Sequence, residues 1–125
     1  MTMPAFVTLK KNLKKDMSAL TAQRIAILGD CATQHIATAL RGWGYEAGLR
    51  YDVFDADYNQ IDAQVMDPGS ELYRFAPQAV LIQMCTEKLY RAFGATPLDR
   101  RAFFAEDIFA KICIFHAFFV ILRQN

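Results

Sequence analysis

The sequence is poor in the side chains that usually announce a chemistry. Its 125 residues hold two histidines, His35 and His116, and three cysteines, Cys31, Cys85 and Cys113. No CxxC pair occurs, so neither a zinc knuckle nor a redox dithiol is indicated, and no metal site is expected. Net charge is only +1, which gives no electrostatic argument for nucleic acid or a membrane surface. Phosphate loops are missing too, since Gly42-Trp-Gly44 lacks GxGxxG or GxxxxGK spacing and reads as a helix stop. A membrane span is excluded by length: IFAKICIFHAFFVIL, Ile108 to Leu122, is fifteen residues with Lys111 and His116 inside it. A span needs roughly twenty apolar residues. Met1 to Thr8 is too short for a signal peptide and runs into lysines. With free thiols, this predicts a cytoplasmic setting.

What the chain has is apolar mass. Hydrophobic residues make up 54%, including ten Phe and five Tyr. That suffices for one core and one domain over residues 1–125, with aromatics to spare for a partner or a further segment. Lys10, Lys11, Lys14 and Lys15 form the one cationic excess. They read as the solvated face of a helix from Thr8 to Leu20 whose other face carries Leu9, Leu13, Met17 and Leu20.

The remaining elements alternate. Arg24 to Leu28 is a short continuous apolar run, suited to a strand covered on both faces. A helix over Ala32 to Trp43 follows, then a half-exposed strand from Leu49 to Phe54. Short helices at 60–66 and 71–75 flank Asp67-Pro-Gly, with Ser70 as a cap. Ala79 to Gln83 is the third strand, and Glu87 to Phe93 is helical. A helix over Arg100 to Phe115 precedes a fourth strand, Phe118 to Arg123, assigned on its β-branched and aromatic residues. This order predicts a three-layer α/β fold of Rossmann or flavodoxin type, a parallel sheet with helices on both faces. Because such sheets continue past a fourth strand, a truncated domain or a fragment of a longer protein is expected.

Ligands of open α/β sheets bind beyond the carboxyl ends of the strands. That selects Gly29, Asp30, Cys31, Thr33 and Gln34 after the first strand, and Asp55 to Gln60 after the second, with Asp57, Asn59 and Gln60 as its binding candidates. It also selects Gln83 to Lys88 after the third, and Gln124 and Asn125 at the end. Cys31 stands before a helix, whose dipole would favour the thiolate and make a nucleophile. Equally, it is a small residue packed at a strand–helix corner. Asp55-Ala-Asp57 is similar to the DxD of phosphatases, but Asn59 occupies the fifth position and no lysine and acidic pair stands ready to hold magnesium.

The strings LKKNLKKD, RIAILGDCATQHIATALRGWGYEAG and VFDADYNQIDAQVMDPGSELYRFAP resemble the amino-terminal, SGNH-hydrolase-like domain of FkbH-like proteins, a subfamily of the HAD superfamily. The resemblance extends to IQMCTEKLYRAF and RRAFFAEDI, and is specific at ADYNQID and DPGSELY. It implies a role in transferring a glyceryl unit to an acyl carrier protein in polyketide-like biosynthesis. Magnesium is implied only for a HAD-type domain, so no cofactor is expected in this chain. Gly29-Asp30 matches the first SGNH block, with Cys31 where hydrolases carry Ser. Gln83-Met-Cys-Thr86 replaces the GxND string, and no DxxH is present, since Cys113 stands three residues before His116.

Three functions follow as expectations. The chain is an accessory domain that docks a carrier protein or a HAD domain. Alternatively it is a Cys31-dependent acyl-transfer enzyme or thioesterase, with Asp30 assisting. Or it is an interaction domain that forms a homodimer through its Phe-rich end.

Overall fold

The computed structural model describes residues 2–124. Its elements are α1 (Phe6–Asn12), β1 (Thr21–Gly29), α2 (Gln34–Glu46), β2 (Leu49–Asp55), α3 (Ile61–Met66) and α4 (Glu71–Phe75). They continue with β3 (Ala79–Gln83), α5 (Thr86–Ala95), a 3-10 turn (Leu98–Phe103) and α6 (Phe104–Arg123). The three strands form one parallel sheet in the order β2-β1-β3. Central β1 buries Ala26, Ile27 and Leu28 completely, as a strand covered on both faces must.

Alternation assigns the faces. Ala26 and Leu28 point to a core shared with Ala56, Ile61, Val65, Leu72 and Phe115, built by α3, α4 and α6. Ile25 and Ile27 face the other way, with their register partners Val53, Asp55 and Leu81. On that side α2 lies against β2, and α1 lies against α2. The result is the expected three-layer α/β fold.

Several boundaries differ from expectation. The first helix ends at Asn12, not Leu20, because Asn12 turns inward: its Nδ2 donates to the Gly42 carbonyl (3.1 Å) and to Glu46 Oε1 (2.8 Å). Lys14 and Lys15 therefore lie beyond that helix, and Lys15 sits over the Tyr45 ring. Gly42 and Gly44 do not stop α2, which runs to Glu46. They let its neighbours approach instead. A Cβ on Gly42 would fall 2.2 Å from the Leu9 carbonyl oxygen, and one on Gly44 would fall 2.8 Å from the Tyr51 ring. The turn itself is supplied by Gly48, at φ 73°.

Ser70 precedes α4 but its hydroxyl donates to the Gln64 carbonyl (2.6 Å), while Gln64 Oε1 accepts from the Leu72 N–H (3.1 Å). The cap is thus a glutamine from α3.

The expected fourth strand, Phe118 to Arg123, is helix: α6 continues through it. Extending an existing helix adds one hydrogen bond per residue fixed, which outweighs a weak β propensity. Burial confirms the period, with Phe115, Phe119 and Leu122 turned inward. Among the described residues the sheet has three strands, and no helix is long and apolar enough to cross a membrane.

Candidate functional site

The loops after β1, β2 and β3 meet at the carboxyl edge of the sheet. Asp30 joins two of them. Its N–H donates to the Gln83 carbonyl (3.2 Å), carrying the β1–β3 ladder one residue beyond the Gly29–Gln83 pair. Its Oδ1 accepts from the N–H of Cys85 (2.7 Å), the residue that caps α5. Its backbone oxygen accepts from Lys88 Nζ. Lys88 in turn lies 4.4 Å from the Tyr58 ring centroid, and the hydrogen bond to Tyr58 holds its pKa above the ordinary lysine value.

Thr33 is buried and its hydroxyl donates to Asp55 Oδ1, tying the start of α2 to the end of β2. Gln34 opens α2 and is exposed. In the loop after β2, the N–H of Asn59 donates to the Gly29 carbonyl (3.0 Å), with Asn59 in the left-handed region at φ 59°. Asparagine is among the residues that tolerate this conformation best. Asp57 is exposed, and Gln60 Oε1 accepts from Gln64 Nε2 (3.3 Å). Gly29 is required at the strand end, since a Cβ there would fall 2.5 Å from the Thr33 methyl.

Cys31 is half-buried and two residues upstream of the Thr33 cap, so it is not on the first turn of α2. Its thiol pKa is raised, first by burial and then by the nearby Cys85 and Asp30, against a smaller opposing effect of Lys88. Desolvation and the neighbouring Cys85 and Asp30 thus disfavour the charged form, opposite in direction to the lowering a helix dipole would give. Cys85 itself donates to Glu87 Oε2 (2.7 Å), which lowers the Glu87 pKa. Neither histidine forms a hydrogen bond with Cys31 or Asp30 among the described residues. His35 sets its ring edge-on to Phe6 at 5.6 Å, and His116 lines a groove between α6 and β3.

Asp30 and Asn59 border a cleft of about 190 Å³ with Met84, Phe115 and the Asp62–Lys111 ion pair at 3.7 Å. It is smaller than most ligand pockets, which run roughly 300–1,000 Å³. Gln124 ends α6 and does not reach this edge, and Asn125 lies outside the described residues. No group of three or more metal-ligating side chains occurs among the described residues.

Sequence reasoning thus selected Gly29, Asp30, Cys31, Thr33 and Asn59, which the three loops bring to one edge. Asp55, Tyr58, Cys85 and Lys88 lie within the stretches it selected, but their pairings with Thr33, Asp30 and one another were not foreseen. The position of Cys85 and Lys88, just past β3, was the available signal; nothing in the spacing pairs Tyr58 with Lys88.

The comparisons agree with this architecture. A crystal structure of the N-terminal part of the protein BF1531 from Bacteroides fragilis, containing a phosphatase domain complexed with Mg, superposes with a TM-score of 0.84 at 33% sequence identity. The match covers 90% of this chain and 30% of that one, so this chain spans less than a third of its relative. Among curated proteins none matches. The family model described as FkbH, N-terminal domain, matches residues 24–122. The chain belongs to the FkbH N-terminal domain family.

Proposed function

We propose that this chain is a binding domain that docks an acyl carrier protein beside a phosphatase-type domain, in the loading of a glyceryl-type unit. The observation that carries this reading over an enzymatic one is the state of Cys31. A thiol with a raised pKa and no histidine bonded to it makes a poor nucleophile. An acyl-transfer site lacking a base and an oxyanion donor forgoes several kcal/mol of transition-state stabilisation. Asp30 and Lys88 meanwhile serve to fix the loops after β1 and β3, a rigid platform at the edge where α/β sheets receive ligands.

Titrating the isotope-labelled chain with phosphopantetheinylated acyl carrier protein tests this. Amide shifts confined to residues 29–34 and 83–88, with no thioester cleavage above the Cys31→Ala background, are expected. Turnover of an acyl thioester that disappears in Cys31→Ala would establish the enzyme instead.

A second reading, self-association, is favoured by the surface of α6, where Phe109 (67% exposed), Ile121 (62%) and Ile114 (49%) face outward. An apolar surface of this kind is typical of an interface. Sedimentation velocity should then show the mass rising with concentration, and a strict monomer would remove this reading.

A further inference from the structure

A second cavity is at the other end of the sheet. It has a volume of about 570 Å³ and opens between Arg24 of β1, the α4–β3 turn and the end of α6. Its apolar wall is Tyr73, Phe119 and Leu122, with the two rings stacked at 6.2 Å. Its cationic lining is Arg24, Arg74 and Arg123, and no lining residue is acidic.

None of these guanidiniums is within ion-pair distance of a carboxylate among the described residues. Arg123 lies over the Phe119 ring at 5.7 Å. Arg24 is anchored: its Nε donates to the Ala76 carbonyl (2.8 Å), and its backbone exchanges hydrogen bonds with Gln78, donating to Oε1 (2.9 Å) and accepting from the N–H (2.8 Å). Only Nε of the Arg24 side chain is used in this way, so the two terminal nitrogens keep their donors. The Arg74 backbone N–H donates to the Ser70 carbonyl (3.3 Å), but its guanidinium has no hydrogen-bond or ion-pair partner among the described residues. The turn that carries this anchor holds Ala76 at φ 51°, in the left-handed region that non-glycine residues rarely adopt. Three like charges around one apolar cavity repel one another and retain unused donors. A bound anion would relieve both.

We propose that this cavity binds an amphipathic anion, a carboxylate or phosphate head on an apolar body. The head is held by Arg24 and Arg74 in the planar two-donor geometry that guanidinium offers such groups. The apolar body lies against Tyr73, Phe119 and Leu122. The site is at the opposite end of the strands from Asp30 and does not depend on the carrier-protein reading.

Calorimetric titration of the full chain tests it with four probes: octanoate, octyl phosphate, acetate and the neutral octanamide. Saturable millimolar or tighter binding is expected for octanoate, octyl phosphate or both, and the tighter of the two identifies the head group. Acetate and octanamide should bind at least about tenfold more weakly, the loss of one charge-assisted contact or of the apolar one. Arg74→Gln should weaken octanoate binding by a similar factor with an unchanged thermal midpoint, because the Arg74 guanidinium bonds to no described residue and its backbone bond to Ser70 is kept. Arg74→Lys should restore part of the loss. Octanamide binding as tightly as octanoate, octanoate affinity unchanged in an Arg24→Gln/Arg74→Gln double variant, or no binding of either anion at millimolar concentration would overturn the proposal.

Discussion

Removing the Asp30 carboxylate should loosen the sheet edge before it affects any chemistry. In Asp30→Ala the bond from the Cys85 N–H (2.7 Å) disappears, and the cap of α5 loses its acceptor. A hydrogen bond to an ionised acceptor contributes about 1.5–3 kcal/mol, and the lower part of that range applies here because the contact is only partly buried. The expected loss is therefore about 1.5–2 kcal/mol. For a domain of this size that lowers the thermal midpoint by roughly 5–12 °C. Asp30→Asn keeps an oxygen acceptor in place but not the charge, and should cost about half as much. Urea unfolding followed by circular dichroism reads both, with the slope of free energy against urea unchanged if only the native clasp is lost. Asp30→Ala within about 0.3 kcal/mol of the parent chain would refute the assignment of Asp30 as the joint between β1 and α5, as would Asp30→Asn being worse than Asp30→Ala.

Two further tests probe packing and the thiol. Gly42→Ala places a Cβ 2.2 Å from the Leu9 carbonyl, so overpacking of about 1–3 kcal/mol should outweigh the helix propensity of alanine. Gly94→Ala, in α5 with nothing within 4 Å, should instead stabilise by roughly 0.5 kcal/mol in the same urea assay. For the thiol, alkylation by iodoacetamide can be followed separately on the tryptic peptides containing Cys31, Cys85 and Cys113. The Cys31 rate should reach half its maximum above the ordinary thiol value near 8.5, because burial keeps the proton on at neutral pH. A plateau reached below pH 8 would reinstate Cys31 as an activated nucleophile.

The sheet was legible because its strands obey the simplest rules. The run Arg24 to Leu28 is apolar without alternation, and β1 is the strand covered on both faces. The Asp67-Pro-Gly turn and the Ala79–Gln83 strand needed only local signals, and both stand where those signals put them. The errors share one cause, contacts from distant parts of the chain. Asn12 ends α1 because its amide finds Gly42 and Glu46, thirty and thirty-four residues away. Phe118 to Arg123 continues a helix because Phe115 and Phe119 already pack against the Ala26–Leu28 face. A β-prone stretch carries no record of the helix it will be attached to.

The two ends of the sheet differ in how far their polar groups are paired within the chain. At the carboxyl edge the polar groups that sequence reasoning singled out have found partners within the chain: Asp30 with Cys85, Thr33 with Asp55, and the Asp30 backbone oxygen with Lys88. Groups already paired gain little from a ligand that must first displace those bonds. At the amino end the Arg74 guanidinium has no partner among the described residues, and the Arg24 side chain uses only Nε, on Ala76. Unmet hydrogen-bonding capacity beside an apolar wall is what an added ligand can satisfy without breaking anything. The motif-bearing edge is therefore the better-built structure, and the end without a motif is where a small anion has most to gain.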